Sequence, residues 1–184
     1  MLSNTPQWVA AYTNSRAEKK MEEVLRNSGY EVYLPLKRTP RKWSDRIKMV
    51  DMPLLPSYLF IRIIGKQVVP LRSTPGIVTL IHFKGDIAVV PDRDIEAMKK
   101  LVQSQQNIVV QNYNKMRKGT RVRITHGSFS GLEGEVVSDN KDGNFAVIIE
   151  CLSVSLVTTI NHEFMEVIEP PTQANNLKSN RWNL

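Results

Sequence analysis

After residue 116 the chain loses every helical period, and this break constrains the fold more than any other feature. Residues 117–169 offer only short alternating runs, RVRIT, GEVVS, FAVIIE, VSLVTT and FMEVI, separated by turn signals. One such signal is Asn140-Lys-Asp-Gly143, which ends in the glycine that a tight hairpin prefers. Five short strands in about 50 residues predict a small closed β-barrel. Three glycines, Gly127, Gly131 and Gly134, crowd the stretch RVRITHGSFSGLEGEVV. A phosphate-cradling loop and a sharply turned hairpin both use glycine in this way. No Gly-Lys-Ser/Thr follows and the next element is a strand, which selects the hairpin. Gly127 and Gly131 are then expected at positive φ around Phe129, and Gly134 at a bend or bulge.

The first hundred residues are patterned differently. Trp8 to Tyr12 and Tyr30 to Pro35 read as strands around a helix that opens on the capping box Ser15-Arg-Ala-Glu18. Ala17, Met21, Val24 and Leu25 form one apolar face of that helix, and Gly29 terminates it. YLFIRII, Tyr58 to Ile64, is predicted as a central strand. GIVTLIHF and DIAVV, split by Lys84-Gly85, predict a hairpin. A second helix capped by Asp92 buries Ile95, Met98, Leu101 and Val102. The expected fold class is α+β. Residues 1–103 form an α/β sandwich, with an antiparallel sheet and flanking helices. Residues 104–116, rich in Gln and Asn, form a linker, with Ile108 to Val110 resting on a neighbour. Residues 117–170 form the five-stranded barrel and 171–184 a disordered tail.

Charge separates the two halves. The net charge is +7, yet residues 104–184 balance at eight Lys/Arg and eight Asp/Glu. The excess lies before residue 104, densest in KRTPRKWSDRIK, where Lys37, Arg38, Arg41, Lys42, Arg46 and Lys48 face Asp45 alone. Such a loop raises the local concentration of polyanions, and Trp43 within it can stack or make a cation–π contact. Arg16, Lys19 and Lys20 gather near the start of the first helix.

No catalytic constellation is visible. His82, His126 and His162 lie in separate segments without metal-ligand spacing, and the one cysteine, Cys151, forms neither a disulfide nor a thiolate site alone. The carboxylate pair Asp92/Asp94 suits a helix dipole, and Glu133/Glu135 share one strand face with no partner group. No nucleotide-binding or nucleophile motif occurs. No apolar run reaches membrane-spanning length and the N-terminus lacks signal-peptide form, so a cytoplasmic monomer with no cofactor, metal or membrane partner is expected.

RVRITHGSFSGLEGEVV resembles a KOW motif. With the aromatic opening strand at Trp8, the helix from Arg16 to Ser28 and Pro56-Ser-Tyr-Leu-Phe60, nearly the whole chain resembles the NusG family. The resemblance implies an N-terminal NGN domain followed by an SH3-like KOW barrel. It implies that the NGN domain binds RNA polymerase at the β′ clamp helices, bridges toward the β gate loop and suppresses pausing. Trp8, Tyr12, Pro56, Tyr58 and Phe60 match that apolar contact surface. The barrel would recruit NusE or Rho through the turn carrying His126, Phe129 and Leu132.

LPLKRTPRKWSDR and PLLPSYLFIR further resemble the specialised RfaH- and UpxY-like antiterminators of polysaccharide operons. In those relatives the region matching Arg16, Lys19 and Lys20 grips the non-template DNA strand; nascent RNA is the other candidate. The alternatives are a housekeeping factor and a ribosome- or RNA-binding KOW protein. Val, Ile and Thr with breaking glycines in the KOW segment argue for a stable barrel over a helical hairpin.

Overall fold

The computed structural model describes residues 2–104, 107–112, 119–138, 142–149 and 152–169. Its N-terminal half is an antiparallel sheet with a helix layer on each face. Strand β1 (Gln7–Thr13) runs beside β5 (Tyr58–Ile63) over six paired positions, from Gln7 opposite Ile63 to Tyr12 opposite Tyr58. β2 (Glu31–Tyr33) flanks β5, while β6 (Ile77–Leu80) and β9 (Val89–Val90) flank β1. The run YLFIRII is therefore central, as its β-branched and aromatic content predicts.

Alternation assigns the two sheet faces. Val9, Ala11, Leu59, Ile61 and Ile63 share a core with Met21 and Leu25 of α1 (Glu18–Asn27) and Leu71 of the short α2 (Val68–Arg72). Trp8, Ala10 and Phe60 point the other way, into a cluster with Ile95, Met98 and Leu101 of α3 (Asp92–Gln103). Full burial of each Val, Leu, Ile, Phe or Met among them contributes roughly 1.5–3 kcal/mol. Helix α1 ends as Gly29 predicts. With Gly29 at φ 84°, its amide donates to Arg26 and the Tyr30 amide to Leu25, a complete Schellman pair. Val24, expected on the buried face, is exposed instead. The Lys84-Gly85 turn joins β7 (His82–Phe83) to β8 (Asp86–Ile87), both turn residues at positive φ, as a two-residue hairpin requires.

Two helix starts differ from expectation. The capping box at Ser15–Glu18 does not form. Ala17 occupies the cap without a side-chain bond, and Arg16 turns to φ 64°. Pro91, not Asp92, precedes α3, whose first turn carries Asp92 and Asp94.

The basic stretch is not a loop. It folds as a two-stranded ribbon, β3 (Leu36–Lys42) against β4 (Ile47–Pro53), paired at seven positions and closed by the Trp43 amide donating to the Arg46 carbonyl.

The C-terminal half corrects the expected five-stranded closed barrel. Six strands follow the order β10, β14, β13, β12, β11, β15, and the described sheet is open. They are β10 (Val109–Asn112), β11 (Arg121–Ile124), β12 (Glu133–Ser138), β13 (Asp142–Ile149), β14 (Val154–Asn161) and β15 (Met165–Glu169). The extra strand comes from the stretch expected to be linker. By pairing with β14 from Val109–Val157 to Asn112–Val154, it occupies the edge that closure onto β15 would need. Gly127 and Gly131 do sit at φ 80° and 82°. Gly134 has a different reason from the expected bend, since a Cβ there would lie 2.6 Å from the Phe145 ring. Cys151 and the predicted tail, 171–184, fall outside the described residues.

Helix α3 is the layer shared by both halves. One apolar cluster runs from Trp8 and Phe60 through α3 to Phe129, Leu132, Phe145 and Val147. Polar ties accompany it. Lys100 Nζ donates to the Ser130 carbonyl at 3.2 Å, and Lys37 Nζ donates to the Ile108 carbonyl at 2.8 Å and Asn107 Oδ1 at 3.0 Å. Among the described residues no helix is long and apolar enough to cross a membrane.

Candidate functional site

Tyr12 and Tyr58 face each other at the end of the β1–β5 pair, with Tyr58 at the margin of the cluster that contains α3. Their rings meet edge to face, centroids 5.2 Å apart at 80°. Tyr12 is 39% exposed and Tyr58 half-buried. Partial burial, then the neighbouring Tyr12, raises the Tyr58 hydroxyl above the usual tyrosine value, and the two rings offer apolar edges with two hydrogen-bonding tips.

A buried carboxylate fixes this end of the sheet. Glu18, 5% exposed at the start of α1, accepts the Ser57 amide at 2.7 Å. Ser57 sits at φ 65°, where a residue with a Cβ is strained, and its carbonyl accepts the Thr13 amide at 2.8 Å. The Pro56–Ser57 turn is thus held from both sides, by α1 and by β1. Sequence reasoning placed Glu18 in a local cap and missed this role, because its partner lies 39 residues away.

Other residues that match the polymerase-contact set are placed differently. Pro56 is exposed beside the pair, but Trp8 and Phe60 are buried under α3. Trp8 carries Arg62 at 5.9 Å and Lys99 at 5.8 Å over its ring, and Phe60 stacks on Tyr33 at 6.2 Å. Tyr33 has a buried hydroxyl without a hydrogen-bond partner among the described residues. Burial, then Glu96, pushes its pKa well up.

Both basic groups are at the surface. Arg16, Lys19 and Lys20 are exposed at the start of α1, and Arg38, Arg41, Lys42 and Arg46 are exposed along the ribbon and its turn. Lys37 is the exception, tied at the ribbon base to Asn107 and Ile108. Trp43 is 58% exposed at the ribbon tip.

The C-terminal turn inverts expectation. Phe129 is 3% exposed and Leu132 is buried, both in the cluster against α3. His126 alone of the three remains outside, its ring 5.7 Å from Phe164. Beside this junction lies a cleft of about 690 Å³ lined by Arg93, Asp94, Arg121, Glu133 and Glu135 among others. Its charges are largely answered within the protein. Arg123 bonds Glu133 at 2.6 Å and holds that carboxyl below its usual range, and Arg121 pairs with Glu133 and Glu169. No cluster among the described residues could hold a metal.

An antiparallel sheet between helices, followed by a small all-β unit, defines a two-part α+β architecture. Residues 6–99 match the family model described as "NusG: Transcription termination factor nusG", and the chain belongs to that family of non-catalytic transcription factors. Among solved structures, "Domain interaction in Thermotoga maritima NusG" aligns with TM-score 0.52 and 19% identity over 90% of this chain and 98% of that one. The "MjSpt4:Spt5 complex" aligns with TM-score 0.30 and 18% identity over 89% and 98%. No curated protein sequence matches this chain.

Proposed function

We propose that this protein is a NusG-type elongation factor whose N-terminal half docks on RNA polymerase through Tyr12, Tyr58 and Pro56. The carrying observation is the exposed tyrosine pair, held on a rigid sheet end by Glu18 and Ser57. Preorganised aromatic anchors supply most of the energy of many protein interfaces. The β′ clamp helices are the proposed seat, from which the N-terminal half would bridge toward the β gate loop. Arg16, Lys19 and Lys20 then serve as phosphate contacts for the non-template strand or nascent RNA. In the C-terminal unit, His126 is the accessible group through which a partner such as NusE or Rho would first be met. The family match fits a housekeeping factor, while the polysaccharide-operon specialisation rests only on the wording of residues 34–62.

Pause and terminator readthrough with purified polymerase tests this reading. Tyr12→Ala with Tyr58→Ala is expected to weaken polymerase binding by about 2–4 kcal/mol, a thirtyfold loss or more. Wild-type behaviour of the double variant, with its fold intact by circular dichroism, removes the proposed surface.

A further inference from the structure

The C-terminal sheet ends on a strand with one open side. β15 is last in the order β10, β14, β13, β12, β11, β15, and among the described residues nothing pairs with its far edge. Across the outward face of this sheet the charges stand in columns. Arg121 and Arg123 of β11 are each flanked in register by two glutamates, Glu135 and Glu133 of β12 on one side, Glu169 and Glu166 of β15 on the other. Two arginines thus face four carboxylates. Glu133 lies 2.6 Å from Arg123 and 3.5 Å from Arg121, and Glu169 lies 3.1 Å from Arg121. Glu166 makes no ion pair among the described residues. The outermost column is therefore acidic, in a chain whose net charge is +7.

The core side of the sheet is incomplete at the same place. Alternation puts Val167 with Met165 on that side, opposite Val122, and a register shift at the next residue returns Glu169 to the outward face. Val122 is 2% exposed, whereas Val167 is 62% exposed with no further strand to cover it.

We propose that β15 accepts one more strand from a protein partner, an extended segment that reads basic, apolar, basic. The free edge supplies backbone hydrogen bonds. Lys or Arg opposite Glu166 and Glu169 continues the alternation of charge columns, and the apolar residue between them covers Val167. Charges on an edge strand also keep unwanted strands away. Here they turn away a second copy of β15, which would set glutamate against glutamate, and they repel nucleic-acid phosphates. A cationic strand is the occupant they admit. This site does not depend on the polymerase reading above.

The test titrates the full chain with a short, end-blocked, labelled peptide of alternating Lys and Val, read by fluorescence anisotropy and by amide hydrogen exchange. Binding is expected, weaker at high salt, with added protection at residues 165–169. Glu166→Gln/Glu169→Gln should weaken it about tenfold, through two lost cross-strand charge pairs. Val167→Ser should weaken it about threefold, through lost apolar cover. These side chains are exposed, and an unchanged far-UV spectrum verifies the fold. A peptide of the same composition with its Lys residues in one block, or one with alternate amides N-methylated, should bind at least about tenfold more weakly. Equal binding of the N-methylated peptide overturns strand addition. Undiminished binding by the double Gln variant, or protection confined to Val109–Asn112, places the peptide elsewhere and overturns the site. Dimers by sedimentation without peptide, with residues 165–169 protected in them, make a second copy the occupant and overturn the proposed partner. Absence of binding by any of the peptides overturns the proposal outright.

Discussion

Two turns in this protein carry aromatic residues that the family resemblance marks for partners, and the fold treats them oppositely. The turn at Pro56–Ser57 presents Tyr58 and its neighbour Tyr12 to solvent, whereas the turn at Gly127–Leu132 buries Phe129 against α3. Both turns use positive φ to aim a side chain. The difference lies in what stands opposite. Tyr58 lies at the margin of the apolar cluster that contains α3, whereas Phe129 lies within it with Phe145 and Val147 of the C-terminal sheet. A turn therefore sets the direction of a side chain, and the neighbouring layer decides whether it becomes an anchor or core.

The comparison breaks most sharply on truncation. Phe129→Ala is expected to cost about 3–5 kcal/mol in urea-induced unfolding, as large aromatic deletions in cores do. Tyr12→Ala should cost less than about 1 kcal/mol in the same measurement. Equal costs would mean that the two turns are alike after all. The next effect is at the support of the exposed turn. Glu18→Ala leaves the buried Ser57 amide unsatisfied and should lower stability by about 1–3 kcal/mol. It should also weaken polymerase binding, although Glu18 is buried beneath that surface. Stability loss with unchanged polymerase affinity would reduce Glu18 to a packing role. The smallest effect is a gain. Ser57→Gly relieves a left-handed backbone worth roughly 1–2 kcal/mol and gives back part of it as unfolded-state entropy. A net rise of about 0.5 kcal/mol is expected by thermal unfolding, with the tyrosine pair still in place.

Much of this architecture is local enough to be legible. Tyr58–Ile63 has the composition of a central strand, Gly29 ends α1 as a C′ glycine should, and the alternation in FAVIIE and VSLVTT marks β13 and β14. What escaped was decided at a distance. The ribbon was hidden by Pro40 and by the four cations among the seven residues of β3, since its alternation is not one of polarity. β10 was hidden by the surrounding Gln and Asn, and the open sheet followed from it, because no local pattern states which strand takes an edge. Within the site, Tyr12 and Tyr58 could be read as one surface, but the burial of Trp8, Phe60, Phe129 and Leu132 depends on α3, which serves two sheets at once.

The pairing of β10 also sets a length of leash. Between the end of α3 at Gln103 and the start of β10 at Val109 the backbone spans at most roughly 20 Å when fully drawn out. Held this way, the C-terminal sheet cannot travel far from α3. If the four pairs to β14 peel apart, the free connection runs on to Arg121 and its reach grows to roughly 60 Å. β10 thus acts as a reel, storing chain length in hydrogen bonds and setting the radius within which the second half can search for anything beyond its own helix.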